Sequence, residues 1–176
     1  MNEWIETARA QSAIARGLLT GITDTQLNAR PDADTWSLGM QLDHLSVVLE
    51  KATAELDKAL EGGIPAGDPA SWKPGFLERK FIEMVGAQPG GKTNPVPKGF
   101  EPTEAPLQTE PTLTRFLAAQ EHLIGLMERT RQADIKKIKA ASAAVPLIKF
   151  SLGTWFAAMG VHTQYHLDKA AALKTR

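Results

Sequence analysis

The sequence predicts an all-α protein, a four-helix bundle with one long irregular connection, on three observations. Nine of the 11 prolines and eight of the 14 glycines fall between Gly62 and Pro111. On either side of that stretch Ala, Leu and charged residues dominate, with almost no helix breakers. Within those flanks apolar residues recur every three or four positions, the period of a helix with one buried face.

The first helix is expected from Asn2 to about Thr20, its stripe formed by Trp4, Ile5, Ala8, Ser12, Ala15 and Leu19. The segment from Asn28 to Asp34 is turn-like, and Ser37 is a good N-cap for a second helix carrying Leu38, Leu42, Leu45, Leu49, Ala52, Leu56 and Leu60. Gly62-Gly63 ends it. The connection that follows, 62–111, is far longer than the ~12–15 residues usual for a structureless loop, so a crossover or a lid is expected, anchored by a short helix over Phe76 to Val85. A third helix follows Pro111 with Leu113, Phe116, Leu117, Ile124 and Met127 on one face and runs to about Thr130. The segment from Asp134 to Phe150 reads either way: Lys136, Lys137 and Lys139 around Ile135 and Ile138 could extend that helix or start a loop. The fourth helix begins near Ser151 and carries Leu152, Phe156, Met159, Ala170 and Leu173. Four such helices are the raw material of a bundle.

At 176 residues the chain fits a single domain, 1–176, in which 62–111 is the long connection or lid. Twenty Lys and Arg balance 20 Asp and Glu, so no long-range pull toward nucleic acid or an anionic membrane is expected, and a neutral small-molecule partner or substrate is. No apolar run approaches the ~18 residues of a membrane span, and the start Met1-Asn2-Glu3-Trp4 does not look like a secretory leader; a cytoplasmic location is expected. With no cysteine there is no disulfide, thiolate metal site or cysteine nucleophile, which leaves His, Asp and Glu as the strong metal ligands.

The four histidines divide by helix geometry. With Met159 as the zero of the fourth helix, His166 lies at about −20° and His162 at about −60°, both on the buried face and one turn apart. With Leu45 as the zero of the second helix, His44 lies at about −100°, the edge of the apolar face, from which it can reach a neighbouring helix. His122 lies at about 200° from Gln120, on the solvent side of the third helix. Two buried imidazoles cost free energy unless they find partners, so His44, His162 and His166 read either as hydrogen-bonded core residues or as three neutral nitrogens around a divalent cation. Three ligands and an open position is the arrangement of a catalytic rather than a structural zinc. Imidazole ligands suit zinc, nickel, iron and copper alike. They leave the cation's charge uncompensated, so an anionic group such as a thiolate or hydroxide is the natural occupant of the open position.

Trp36-Ser37 followed by His44-Leu45, and His162-Thr163-Gln164-Tyr165-His166 in the last helix, resemble the DinB-like (YfiT-like) family of metal-dependent four-helix bundles. The resemblance covers essentially the whole chain in helix order. It implies a down-up-up-down bundle whose three histidines, at the positions of His44, His162 and His166, bind a divalent metal, zinc or nickel foremost, with iron or manganese as further candidates. It implies activities such as S-transfer from a low-molecular-weight thiol or thiol-dependent isomerisation, and homodimers.

Two classes of function follow. One is a metal-dependent enzyme, a thiol S-transferase or a related hydrolase, in which coordination activates the nucleophile. The other is a non-catalytic bundle that binds a metal, or a small apolar ligand lined by Trp72, Phe76, Phe81 and Phe100. No side chain beyond the three histidines is assigned a catalytic role. Gln41 and Gln120 read as interhelical hydrogen-bond residues or as groups beside the site, and Glu78, Glu83, Glu101 and Glu104 as sources of a fourth ligand if the connection folds over it.

Overall fold

The computed structural model describes residues 1–86 and 95–174; the stretch 87–94 of the long connection lies outside them. The chain order is α1 (Asn2–Leu19), α2 (Asp24–Asn28), α3 (Leu38–Glu61), α4 (Phe76–Val85), α5 (Thr109–Arg129), β1 (Lys139–Ala141), β2 (Lys149–Ser151) and α6 (Leu152–Lys174). The fold is all-α and bundle-like, with a two-stranded antiparallel ribbon in which Lys139 pairs with Ser151 and Ala141 with Lys149. The helices α1, α3, α5 and α6 are long, and α1 and α3 each pack against both α5 and α6.

The local chemistry explains the element boundaries. Ser37 caps α3 by accepting the Met40 N–H, and Gly62 closes the helix. The helix α5 starts two residues before Pro111, not after it, because in a first turn the N–H that proline lacks would have no helical acceptor anyway. The short α2 opens on a reciprocal cap in which the backbone N–H of Thr23 and of Gln26 each donates to the other's side chain, and it places Leu27 in the core.

The ambiguous segment does not extend α5. The chain turns after Arg129, seats Ala133, Ile135 and Ile138 in the core, leaves Lys136, Lys137 and Lys139 exposed, and returns through the ribbon into α6. Trp155 on α6 donates its indole N–H to Ala140 O (3.1 Å) and holds the ribbon down.

Phe116, Phe156, Leu42, Leu45, Leu49, Leu56, Leu123 and Ile124 fill the centre of the bundle. Each is worth about 1.5–3 kcal/mol relative to exposure. The connection is fastened to this body at both ends of its first half. Ala66 bridges Ala133 across a backbone so close that a Cβ on Gly67 would fall 2.6–2.8 Å from Asp134 atoms. Trp72 lies on the first turn of α6, where a Cβ on Gly153 would fall 2.5 Å from its ring. The Trp72 indole then donates to Ser151 Oγ, which donates in turn to Glu78 at the start of α4. These contacts lay α4 against α6, beside the histidines.

Candidate metal centre

The first half of α3 is buried on all sides, from Leu38 through Ser46, because α2 and the connection cover the face that would otherwise meet water. His44 therefore sits at 3% exposure although the helical wheel puts it at the edge of the apolar stripe. On α6, His166 is 5% exposed and His162, one turn earlier, is half-buried. The α3–α6 packing brings the three rings together, with centroids 4.6 Å apart for His44–His166 and His162–His166 and 5.4 Å for His44–His162. One ring nitrogen from each lies within 4.8 Å of the others. The group is capable of coordinating a divalent cation.

The proton positions follow from the partners. His44 Nδ1 lies 2.7 Å from Phe100 O, His162 Nδ1 2.7 Å from Val85 O, and His166 Nδ1 2.7 Å from Gln41 Oε1. Carbonyl oxygens only accept, so in each neutral ring Nδ1 carries the proton and Nε2 is bare. Nε2 of His44 and Nε2 of His162 nevertheless face each other at 3.2 Å. Two lone pairs at that distance repel unless something positive lies between or beside them. A proton could serve only by making an imidazolium in a buried site. Two nitrogens each ~2.0–2.1 Å from a tetrahedral zinc would stand ~3.3 Å apart, so the pair has the separation that a shared cation requires.

Burial also keeps the rings neutral. It lowers His44 to about 4, helped by its histidine and Lys169 neighbours and only partly opposed by the Phe100 carbonyl. It lowers His166 to about 2, with the other two histidines and Lys169 adding to the effect. It lowers His162 against the pull of the Val85 carbonyl. The three rings are thus uncharged at neutral pH, each with its one proton on Nδ1 and Nε2 bare, the state in which imidazole binds metal.

One side of the cluster opens on a cavity of about 890 Å³ walled by Trp36 and Thr35 before α3, by Val85 and Gly86 at the end of α4, by Pro95 to Pro97, and by Tyr165, Lys169 and Leu173 of α6. Trp36 is placed by a turn in which Asp32 accepts the N–H groups of Asp34 and Thr35 and the Thr35 hydroxyl. Its ring stacks on His166 at 5.9 Å and tilts against His44 at 5.0 Å.

The other residues singled out in the sequence divide clearly. Gln41 is both an interhelical bond and the group that orients His166. Gln120 is a core residue, bonded to Ala8 O and Gln11 Oε1, and does not wall the cavity beside the histidines. His122 is exposed and pairs with Asp57 at 2.7 Å.

None of the four connection glutamates reaches the histidines, and among the described residues no carboxylate joins the group. Glu78 is committed to Gly75, Ser151 and Thr154; burial would raise its pKa, but these bonds outweigh it and hold the carboxyl at about 2. Glu83 pairs with Lys80, Glu101 takes the Gly99 N–H, and Glu104 faces Arg30.

The connection contributes two backbone carbonyls instead, those of Val85 and Phe100, which no residue pattern announces. Trp72, Phe76, Phe81 and Phe100 do not wall the cavity. Trp72 packs on Trp4, Phe81 stacks on Phe150, Phe76 is exposed, and Phe100 lies under Lys51.

Residues 7–169 match the DinB superfamily, and the chain belongs to that family. Comparison with curated proteins returns no match, and comparison with solved structures returns none. Among the described residues no helix is long and apolar enough to cross a membrane.

Proposed function

We propose that the protein holds one divalent cation, zinc or nickel, on the Nε2 atoms of His44, His162 and His166 and receives a small ligand in the adjoining cavity. The observation that carries this reading is the set of three Nδ1 protons, each tied to an acceptor, which leaves three bare Nε2 atoms, those of His44 and His162 3.2 Å apart, in a group whose ligand nitrogens lie within 4.8 Å of one another. The same reading takes the long helices as a down-up-up-down four-helix bundle forming a single domain over 1–176. When bound, such a cation supplies a Lewis-acid position that can bring a coordinated thiol or water toward ionisation near neutral pH. The chain's own groups do the rest. The carbonyls of Phe100, Val85 and Gln41 hold the ring protons away from the centre, and Trp36 shields two of the rings.

A catalytic use, S-transfer from a low-molecular-weight thiol or a related hydrolysis, is the second reading. It is favoured by the cavity: three protein ligands with one side open suit a working site better than a closed structural one. The chain has no cysteine, so a thiol would come with the ligand. Thermal unfolding of tag-free protein with and without chelator tests the binding reading. A metal-dependent rise in melting temperature of a few degrees is expected, with a folded protein remaining after chelation. Unfolding on chelation would instead make the metal structural, and no change at all would remove it. Turnover of a halobimane with a panel of small thiols separates catalysis from binding.

A further inference from the structure

The cavity wall of α6 continues past the histidines. Tyr165 lies beside His166, and Lys169 and Leu173 line the cavity about one and two turns beyond it. Lys169 is half-buried, and its Nζ sits 4.5 Å over the Tyr165 ring, itself 5.0 Å from the His166 ring. Among the described residues no carboxylate pairs with it, although the lysines and arginines elsewhere on the bundle's helices repeatedly find one. The sole acidic residue among the described cavity walls is Asp34, whose exposed side chain makes no ion pair with it. Lys169 lines the same cavity as His44, His162 and His166, which places it on the open side of the cluster.

Resting on the metal reading above, we infer that Lys169 is the receptor for a carboxylate on the ligand. The site then takes small acids with a donor atom for the three-histidine centre at one end and a carboxylate at the other. The argument is one of charge and reach. The three rings are neutral, so a cation bound there and the ammonium add to a positive cavity that one rim carboxylate does not balance. An ammonium seated on an aromatic face, partly removed from water and lacking a counter-ion, is held ready for an anion. Lys169 lies ~4.5 Å along the helix from His166 and ~10.5 Å from His162, and its flexible stem lets it meet a ligand spanning roughly that interval. A neutral ligand would leave the ammonium unused.

The test loads the protein with cobalt(II) and titrates a chain-matched set, mercaptohexanoate, mercaptohexanol and aminohexanethiol, reading the cobalt absorption bands and the heat of binding. The acid should bind about 10-fold or more tightly than the alcohol, and the amine most weakly. Lys169→Gln should bring the acid down to the alcohol's affinity while metal content and alcohol binding stay as they were; Lys169→Arg should keep the preference. Equal affinities for the three in the wild-type protein, or a preference for acid that survives Lys169→Gln, would overturn the inference and leave the metal reading standing. Cobalt bands unmoved by every thiol would overturn the open metal position and this inference with it. The order acid, alcohol, amine in the wild type stands as a test even if the glutamine variant does not fold.

Discussion

The two grooves that flank α3 handle polar groups in opposite ways. In the groove shared with α5, opposite charges meet. Arg115 binds the buried Asp43 at 2.7 Å and Glu50 at 2.6 Å, and Asp57 holds Arg129 at 3.1 Å and shares a hydrogen bond of 2.7 Å with His122. In the groove shared with α6, like meets like. Three imidazoles turn bare nitrogens inward, two of them 3.2 Å apart, with their protons tied up outside. The first groove is complete in itself and needs only to hold the helices together. The second gathers three metal-ligand nitrogens beside a cavity, the arrangement that can coordinate a divalent cation.

The largest difference between the grooves should appear on acidification of the metal-free protein. The folded-state pKa of His44 is about 4 against an ordinary value of 6.5. The unfolded chain therefore takes up protons that the folded chain refuses as pH falls from 6.5 to 4, and stability must drop through that window. His166, lowered to about 2, extends the loss further, and His162 adds in the same direction. Denaturant midpoints at a series of pH values read this directly; a flat profile between 6.5 and 4 would mean the rings are not held neutral.

Next in size is Gln41→Leu, which removes the acceptor fixing the His166 tautomer. Losing such an outer partner typically costs about 10- to 100-fold in metal affinity. Competition with a chromophoric chelator measures it, and an unchanged affinity would deny Gln41 that role. Arg115→Met strips the other groove. Because Asp43 is buried but Arg115 is 41% exposed, the expected cost is about 1–2 kcal/mol of stability with metal stoichiometry intact. Loss of metal in this variant would show that the two grooves are not separable. The smallest effect belongs to His122→Ala, within about 0.5 kcal/mol by denaturant titration and without change in metal content.

Much of this contrast was legible in the residues. The 3.6-residue period divides the four histidines into three that can converge and one facing water, and Ser37 and Gly62 mark the ends of α3. The burial of His44 goes beyond the wheel, because a covering segment, not the helix's own pattern, removes it from water. The outer partners at Val85 and Phe100 are backbone carbonyls, whose positions depend on the path of the connection and leave no mark on side-chain identity. The ribbon has only three residues per strand, too few for an alternating pattern to register, and α2 spans five, although Thr23 and Gln26 have the spacing of a cap. The cross-helix pairs of Arg115 join residues distant in sequence, and Lys169 acquires meaning only once the cavity is seen.

The central claim is that the α3–α6 groove holds one metal ion on three histidines. Elemental analysis of tag-free protein, for the wild type and for His44→Ala, His162→Ala, His166→Ala and the control His122→Ala, tests it most directly. One equivalent of zinc or nickel in the wild type and the control, lost in each of the three other variants, is the result expected. A stoichiometric metal that survives all three substitutions, or a wild type that takes up none, would contradict it.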